Sequence, residues 1–207
     1  MKPIIKLIVF DLDGVLINSE MNMKLSWDRI RKIYYIKKTF NTYKKYIGLP
    51  FYKILKKLKI KKKYFTLIKK DYDLNSLKYI NKLKLYKNVR SYLKYLRKKK
   101  ILTCIFTSKD KYRTKKILKY LNIKSNLTLS PEDLKFPKPN PYAINYISKR
   151  FNIKKNNILY IGDTKFDYSC AKKAGVHYIN VKWGYGLVPK KVFQIKKFSN
   201  INKYFII

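Results

Sequence analysis

A chain of 207 residues is long enough for one ordinary domain with an insertion, or for two small ones, and can bury a real core. Its 51 Lys and Arg against 11 Asp and Glu give a formal net charge of +40, which first suggests nucleic acid or an anionic membrane surface. The excess is overwhelmingly Lys and travels with many Ile, Asn, Tyr and Phe, so it reads as the imprint of an AT-rich genome. Two unclustered cysteines, Cys104 and Cys170, exclude a disulfide framework and a zinc site and read as buried, reduced thiols.

The apolar run from Ile4 to Phe10 is rich in β-branched residues and nearly continuous, as expected for a strand buried on both faces of a parallel sheet. It is interrupted by Lys6 and ended by Asp11, too short for a signal-peptide core or a membrane span, and a cytoplasmic protein is expected. From Val15 to about Leu83 no convincing strand is legible. Amphipathic helical patterns fill this stretch, with breaks expected at "NTYKKYIGLP" and "KKDYDLN" and a loop at Gly48 and Pro50.

Beyond Lys84 the rhythm changes. A helix is expected over 88–99, a strand at "ILTCIF", a helix over 112–121, a strand at "NLTLS" and a helix over 141–151. A strand at "NILYIG", a helix over 166–174 and a strand at "VHYINV" complete the series. Such alternation predicts right-handed crossovers and an α/β fold, a Rossmann-like parallel sheet with an inserted α-helical cap. The expected division is a core of residues 1–16 and 84–207, with residues 17–83 forming the cap.

In open parallel sheets ligands bind beyond the carboxyl ends of the strands. There the sequence places Asp11, Asp13 and Gly14 after the first strand, Thr107 and Ser108 after "ILTCIF", and Asp163 and Asp167 after "NILYIG". The loop "FPKPNP" adds Lys138. Four of only 11 acids fall in these clusters, and like charges so close repel unless a cation joins them. All-oxygen ligation points to a hard ion, most simply Mg²⁺, with Mn²⁺ the alternative. A hydroxyl and an ammonium at the same edge suit the remaining oxygens of a phosphoryl group, so phosphoryl transfer is the chemistry implied. Singly, each signal has a plain structural reading: a turn for DxDG, a helix cap for Thr-Ser, a rigid loop for Lys-Pro-x-Pro. Their joint order at strand ends is what carries the argument.

With these motifs in hand, the chain resembles the haloacid dehalogenase-like hydrolase superfamily, and within it the phosphoglycolate phosphatase-like capped phosphatases. "FDLDGVLINSE", "IFTSK", "KPNP" and "IGDTKFDYSCAKKAG" look like its four motifs in order, and "VHYINVKWGYG" resembles the strand and Gly-aromatic loop that follow. The resemblance implies Asp11 as nucleophile, forming an aspartyl-phosphate, and Asp13 as acid and then base, with its backbone carbonyl on the metal. It implies Thr107 and Ser108 as phosphate-binding residues and Lys138 as the charge that stabilises phosphate and nucleophile. Asp163 would bind Mg²⁺ directly, and Asp167 would bind it through water or orient Lys138.

The helical block would close over the site and exclude water. "YIGLPFYKIL" resembles its substrate-selecting loop, which makes Gly48, Tyr52 and Lys53 candidates for contact with the substrate; an ordinary helix start explains Tyr52 and Lys53 equally well. His177, Trp183 and Tyr185 read as structural. Tyr142 stands where the third motif often carries an acid, and Met23 where sugar phosphomutases of the superfamily often carry a His.

The function expected is a Mg²⁺-dependent phosphatase acting on a small phosphorylated metabolite, phosphoglycolate or a sugar phosphate. A β-phosphoglucomutase-like activity and a polybasic, non-catalytic binding protein remain as alternatives. The expected partner is the metabolite alone, with no specific nucleic acid and no membrane, for a monomer or dimer.

Overall fold

The computed structural model of the chain describes residues 1–186, Pro189 and 192–207. Six strands form one parallel sheet: β1 (Leu7–Phe10), β4 (Leu102–Phe106), β5 (Leu127–Leu129), β6 (Ile158–Gly162), β7 (His177–Val181) and β8 (Gln194–Ile195). Their spatial order is β5-β4-β1-β6-β7-β8. β1 lies at the centre, with Phe10 opposite Ile105 on one side and Ile161 on the other. The sheet order therefore brings the ends of β1, β4 and β6 side by side, although β1 and β6 are separated by most of the chain.

Alternation along β1 sorts its side chains between the two faces, as strand geometry requires. Ile8 and Phe10 join a core with Val89, Tyr92 and Leu96 of α5 (Val89–Lys98), Ile117 of α6 (Lys111–Tyr120), and Phe198 and Ile201 of a C-terminal 3₁₀ turn. Leu7 and Val9 join a second core with Ile144 and Ile147 of α7 (Tyr142–Phe151) and Cys170 and Ala171 of α8 (Lys165–Ala174). Gly175 ends α8 in the left-handed conformation, with φ at +71°. Cys104 and Cys170 are both buried in this second core, and burial pushes each thiol up to about 12.

A third apolar cluster is built from the segment between β1 and α5. It contains α1 (Glu20–Ile33), α2 (Phe40–Lys44), α3 (Phe51–Lys57) and α4 (Phe65–Lys78), packed around Trp27, Tyr43, Phe51 and Tyr72. Asn22 ties α1 to α4, donating to the carbonyls of Ser76 and Tyr79 while Ser76 Oγ donates back to its Oδ1.

Two expectations change here. The stretch after Val15 does contain a strand: β2 (Ile17–Asn18) pairs antiparallel with β3 (Lys84–Leu85), holding the two ends of the helical segment together. Two-residue strands are too short for an alternation pattern to reveal. The expected break at "KKDYDLN" is absent, because Ile68, Tyr72 and Ser76 bury one side of α4 at four-residue spacing and carry the helix through it. β8 and the closing 3₁₀ turn were not legible either; β8 pairs with β7 through only two residues, Asn180 with Gln194 and Val181 with Ile195.

Among the described residues, no helix is long and apolar enough to cross a membrane.

Candidate active site at the carboxyl edge of the sheet

Asp11 stands at the end of β1 and is buried, with Lys138 Nζ paired to it 2.9 Å from its Oδ1. Lys138 is fully buried, an arrangement that is tolerable only because it is paired. Its ammonium also donates to Asp167 Oδ1 at 2.8 Å and lies over the rings of Phe106 and Tyr160. The "KPNP" loop thus sets a cation between Asp11 and Asp167.

Asp163 follows β6 and Asp167 opens α8. Asp167 forms a capping box with Thr164: its Oδ2 accepts from the Thr164 backbone N–H at 3.0 Å and from Thr164 Oγ1 at 2.7 Å. Its Oδ1 accepts from Lys138 and from Tyr160 O–H. Asp163 is differently placed. One oxygen accepts from the Tyr185 backbone N–H at 2.7 Å, while Oδ1 is buried and has no hydrogen-bond partner among the described residues. Gly14 and Gly184 press against it; a Cβ at either position would lie 2.2 Å from an Asp163 side-chain atom. Glycine is required there for the close approach.

One oxygen each from Asp11, Asp163 and Asp167 lies within 4.8 Å of the others. A single ammonium cannot balance three such charges, and the protonation equilibria show it. Burial, partly countered by Lys138, raises the Asp11 carboxyl from 3.8 to about 7. Burial, with the nearby Asp167 and Asp11, raises Asp163 well above its ordinary value. Burial also acts against ionised Asp167, but Lys138 and the hydrogen bonds from Thr164 and Tyr160 outweigh it and hold that group low. Lys138 is desolvated too, yet Asp11 and Asp167 keep it firmly charged.

The donor set fits a hard divalent cation on three grounds: all ligands are oxygens, the acids converge, and Asp163 carries a buried oxygen without a partner. Asp167 has both oxygens engaged by protein donors, so it suits orienting Lys138 better than direct ligation.

Asp13 does not join this cluster. Its side chain turns toward a neighbouring cavity, where Ser19 Oγ donates to Oδ1 at 2.5 Å and Lys109 Nζ lies 3.2 Å from Oδ2. The cavity measures about 50 Å³; Asp11, Asp13, Thr107, Ser108 and Lys109 line its sheet side, and Met23, Tyr43, Gly48, Phe51 and Tyr72 its helical side. Thr107 Oγ1 accepts from the Lys109 backbone N–H, and Ser108 Oγ donates to the Gly48 carbonyl at 2.7 Å. Gly48 therefore reaches the cavity. Tyr52 and Lys53 do not line it: they sit on the first turn of α3, where Tyr52 is exposed and Phe51 takes the inward position. Met23 is at the wall.

Lys109 and Arg113 were not singled out in the sequence, where they are two cations among 51. The signal that could have found Lys109 is its place immediately after Thr107 and Ser108. Tyr185 is more than a packing residue, since its N–H holds Asp163 and its hydroxyl accepts from the Ser19 N–H at 2.6 Å. Trp183 does pack, against Tyr86 and Phe198. His177 begins β7, bonded to the Asn156 carbonyl and edge-on to Phe205, away from the acids.

A parallel α/β sheet with an acidic cluster and a buried lysine at its carboxyl edge, under a helical insertion after the first strand, defines a capped Rossmann-like hydrolase. Residues 8–181 match the model of the haloacid dehalogenase-like hydrolase family, and the chain belongs to that family. A phosphoglycolate phosphatase of Pasteurella multocida is 28% identical over 100 residues, covering 47% of this chain and 45% of that one. The match thus spans about half the length of that curated relative.

Two solved structures share the fold over nearly their whole length. One, from Haemophilus somnus and described as a predicted phosphoglycolate phosphatase, superposes with a TM-score of 0.84 at 23% identity, covering 96% of this chain and 97% of that one. The other, from Lactobacillus plantarum and described as a proposed phosphoglycolate phosphatase, gives 0.88 at 20% identity, covering 98% and 100%.

Proposed function

We propose that the protein is a phosphatase that hydrolyses a small phosphorylated metabolite through an aspartyl-phosphate on Asp11. The observation that carries this reading is the pairing of two differently held carboxylates: Asp11 is buried against Lys138, and Asp13, two residues on, faces the cavity beside Lys109 and Ser19. This difference supports Asp11 as the group that attacks phosphorus and Asp13 as the one that moves a proton.

Asp11 and Asp163 would hold Mg²⁺, with the Asp13 backbone carbonyl as a further oxygen and Asp167 behind them orienting Lys138. When bound, the ion supplies the positive charge that lets an anionic phosphoryl group approach the Asp11 carboxylate. An Asp11 oxygen then forms a bond to phosphorus as the ester P–O bond breaks, and Asp13 gives the departing oxygen its proton. In the second half Asp13 takes a proton from water, whose oxygen attacks phosphorus, releasing phosphate and regenerating Asp11. Lys138 offsets charge on Asp11 throughout, and the Thr107 hydroxyl and the Ser108 backbone N–H donate to phosphoryl oxygens, the Ser108 hydroxyl being held by the Gly48 carbonyl. The helical cap keeps bulk water out while the first half proceeds.

Phosphoglycolate, the ester named in the curated relatives, is the substrate this reading favours over a six-carbon sugar phosphate or a phosphomutase reaction.

The test is phosphate release from a panel of esters, phosphoglycolate and glucose phosphates included, with Mg²⁺ or with EDTA, for wild type and Asp11→Asn. Metal-dependent turnover that disappears in Asp11→Asn is expected. Equal release by both proteins, or none on any ester from the folded metal-loaded wild type, would refute the reading.

A further inference from the structure

The turn between β4 and α6 carries more than Thr107 and Ser108. Asp110 caps α6 by accepting from the Arg113 backbone N–H at 2.9 Å, and its other oxygen takes Arg113 Nε–H. Arg113 is thereby fixed to the sheet side, yet it faces the helical insertion. Its Nε lies 3.1 Å from Asp73 Oδ1, and its guanidinium stacks 5.3 Å from the centre of the Tyr72 ring. Asp73 and Tyr72 are consecutive residues of α4. The Arg113 side chain is 5% exposed and that of Asp73 is 20% exposed. The second tie from the same turn is the hydrogen bond from Ser108 Oγ to the Gly48 carbonyl.

We infer that Asp73 and Arg113 form the clasp that seats the helical cap on the active-site turn, which makes Arg113 a positioning residue. The charge arrangement argues for it. Asp110 alone neutralises Arg113, so Arg113 needs no second carboxylate for its own burial. Asp73, in contrast, has Asp110 for a neighbour and would be repelled from this place without the guanidinium between them.

The contact is also suited to release. Asp73 Oδ1 receives no aligned hydrogen bond among the described residues, so its tie to Arg113 is charge against charge, while its other oxygen keeps Lys69. Separation would return Asp73 to water already partnered. Tyr72 and Tyr43, joined by a hydroxyl–hydroxyl contact of 3.1 Å, form the cavity wall that moves with α4. The clasp therefore decides when that wall covers Asp11. Its use in excluding water rests on the proposed phosphatase reading; the clasp itself does not.

Thiol labelling measures the open population directly. Ile47→Cys places a thiol at a buried position in the cavity wall, while the native Cys104 and Cys170, buried in the sheet core, report global unfolding. Adding Asp73→Asn should speed modification of the introduced thiol about tenfold, below the full cost of breaking a wholly buried pair because Asp73 is partly solvated. Asp73→Glu should bring the rate back toward that of the parent, and Cys104 and Cys170 should be unaffected. An unchanged rate in Asp73→Asn, or an acceleration shared by all three thiols, would overturn the clasp. No substrate is involved, so a failure of the phosphatase reading would show separately, as absence of turnover.

Discussion

The raised Asp11 carboxyl makes stability depend on pH in a direction opposite to that of most carboxylates. In the unfolded chain the group titrates near its ordinary 3.8, and in the folded, metal-free protein near about 7. Between these values the folded state keeps a proton that the unfolded chain has lost. Stability from this group is therefore fully present below pH 4 and is lost as the pH rises through 7. The interval corresponds to about 4 kcal/mol. With a urea m-value of about 2–3 kcal/mol/M, the midpoint should fall by roughly 1.5 M across that window.

Asp11→Asn removes the titration while keeping the shape, so the comparison is between wild type and this variant in EDTA at pH 5 and pH 8. The wild type should lose markedly more stability than Asp11→Asn. Adding Mg²⁺ at pH 8, at a hundredfold excess over its dissociation constant, should return about 2.7 kcal/mol to the wild type. Parallel pH profiles for the two proteins would refute the assignment of the raised group to Asp11.

Other consequences follow from the same residues. Lys138→Met leaves Asp11 and Asp167 buried without their shared cation; urea unfolding at pH 8 should show a loss of about 3–5 kcal/mol, smaller at pH 5.5 where Asp11 can take a proton. Asp163→Asn should leave metal-free stability nearly unchanged, because burial already favours the neutral acid, but abolish the rise in Tm that Mg²⁺ gives the wild type. Gly48 has φ at +100°, and a Cβ there would meet Thr164 Oγ1 at 2.9 Å. Gly48→Ala should therefore cost about 1–2 kcal/mol, read as a fall in Tm of roughly 3–6 °C.

The sequence by itself determined the parallel sheet through β7 and its succession of strands and helices, because each of those elements from α5 onward is bounded by local pattern: a β-branched run, then an amphipathic turn, then the next strand. It also determined that Asp11, Asp163 and Lys138 belong together, since strand ends in a parallel sheet share one edge whatever their separation in the chain. What it left open was direction.

Asp11 and Asp13 look equivalent in "FDLDG", yet β1 buries the first against Lys138 while the chain turns the second toward Ser19 and Lys109. Nor does spacing reveal that Arg113 meets Asp73 of α4, that Tyr185 holds Asp163, or that Lys84 and Leu85 pair with Asn18 and Ile17. These contacts join residues far apart in sequence whose types are common here. Only the packing of the helical segment onto the sheet decides which of so many lysines and tyrosines lose their water, and hence which of them take part in the site.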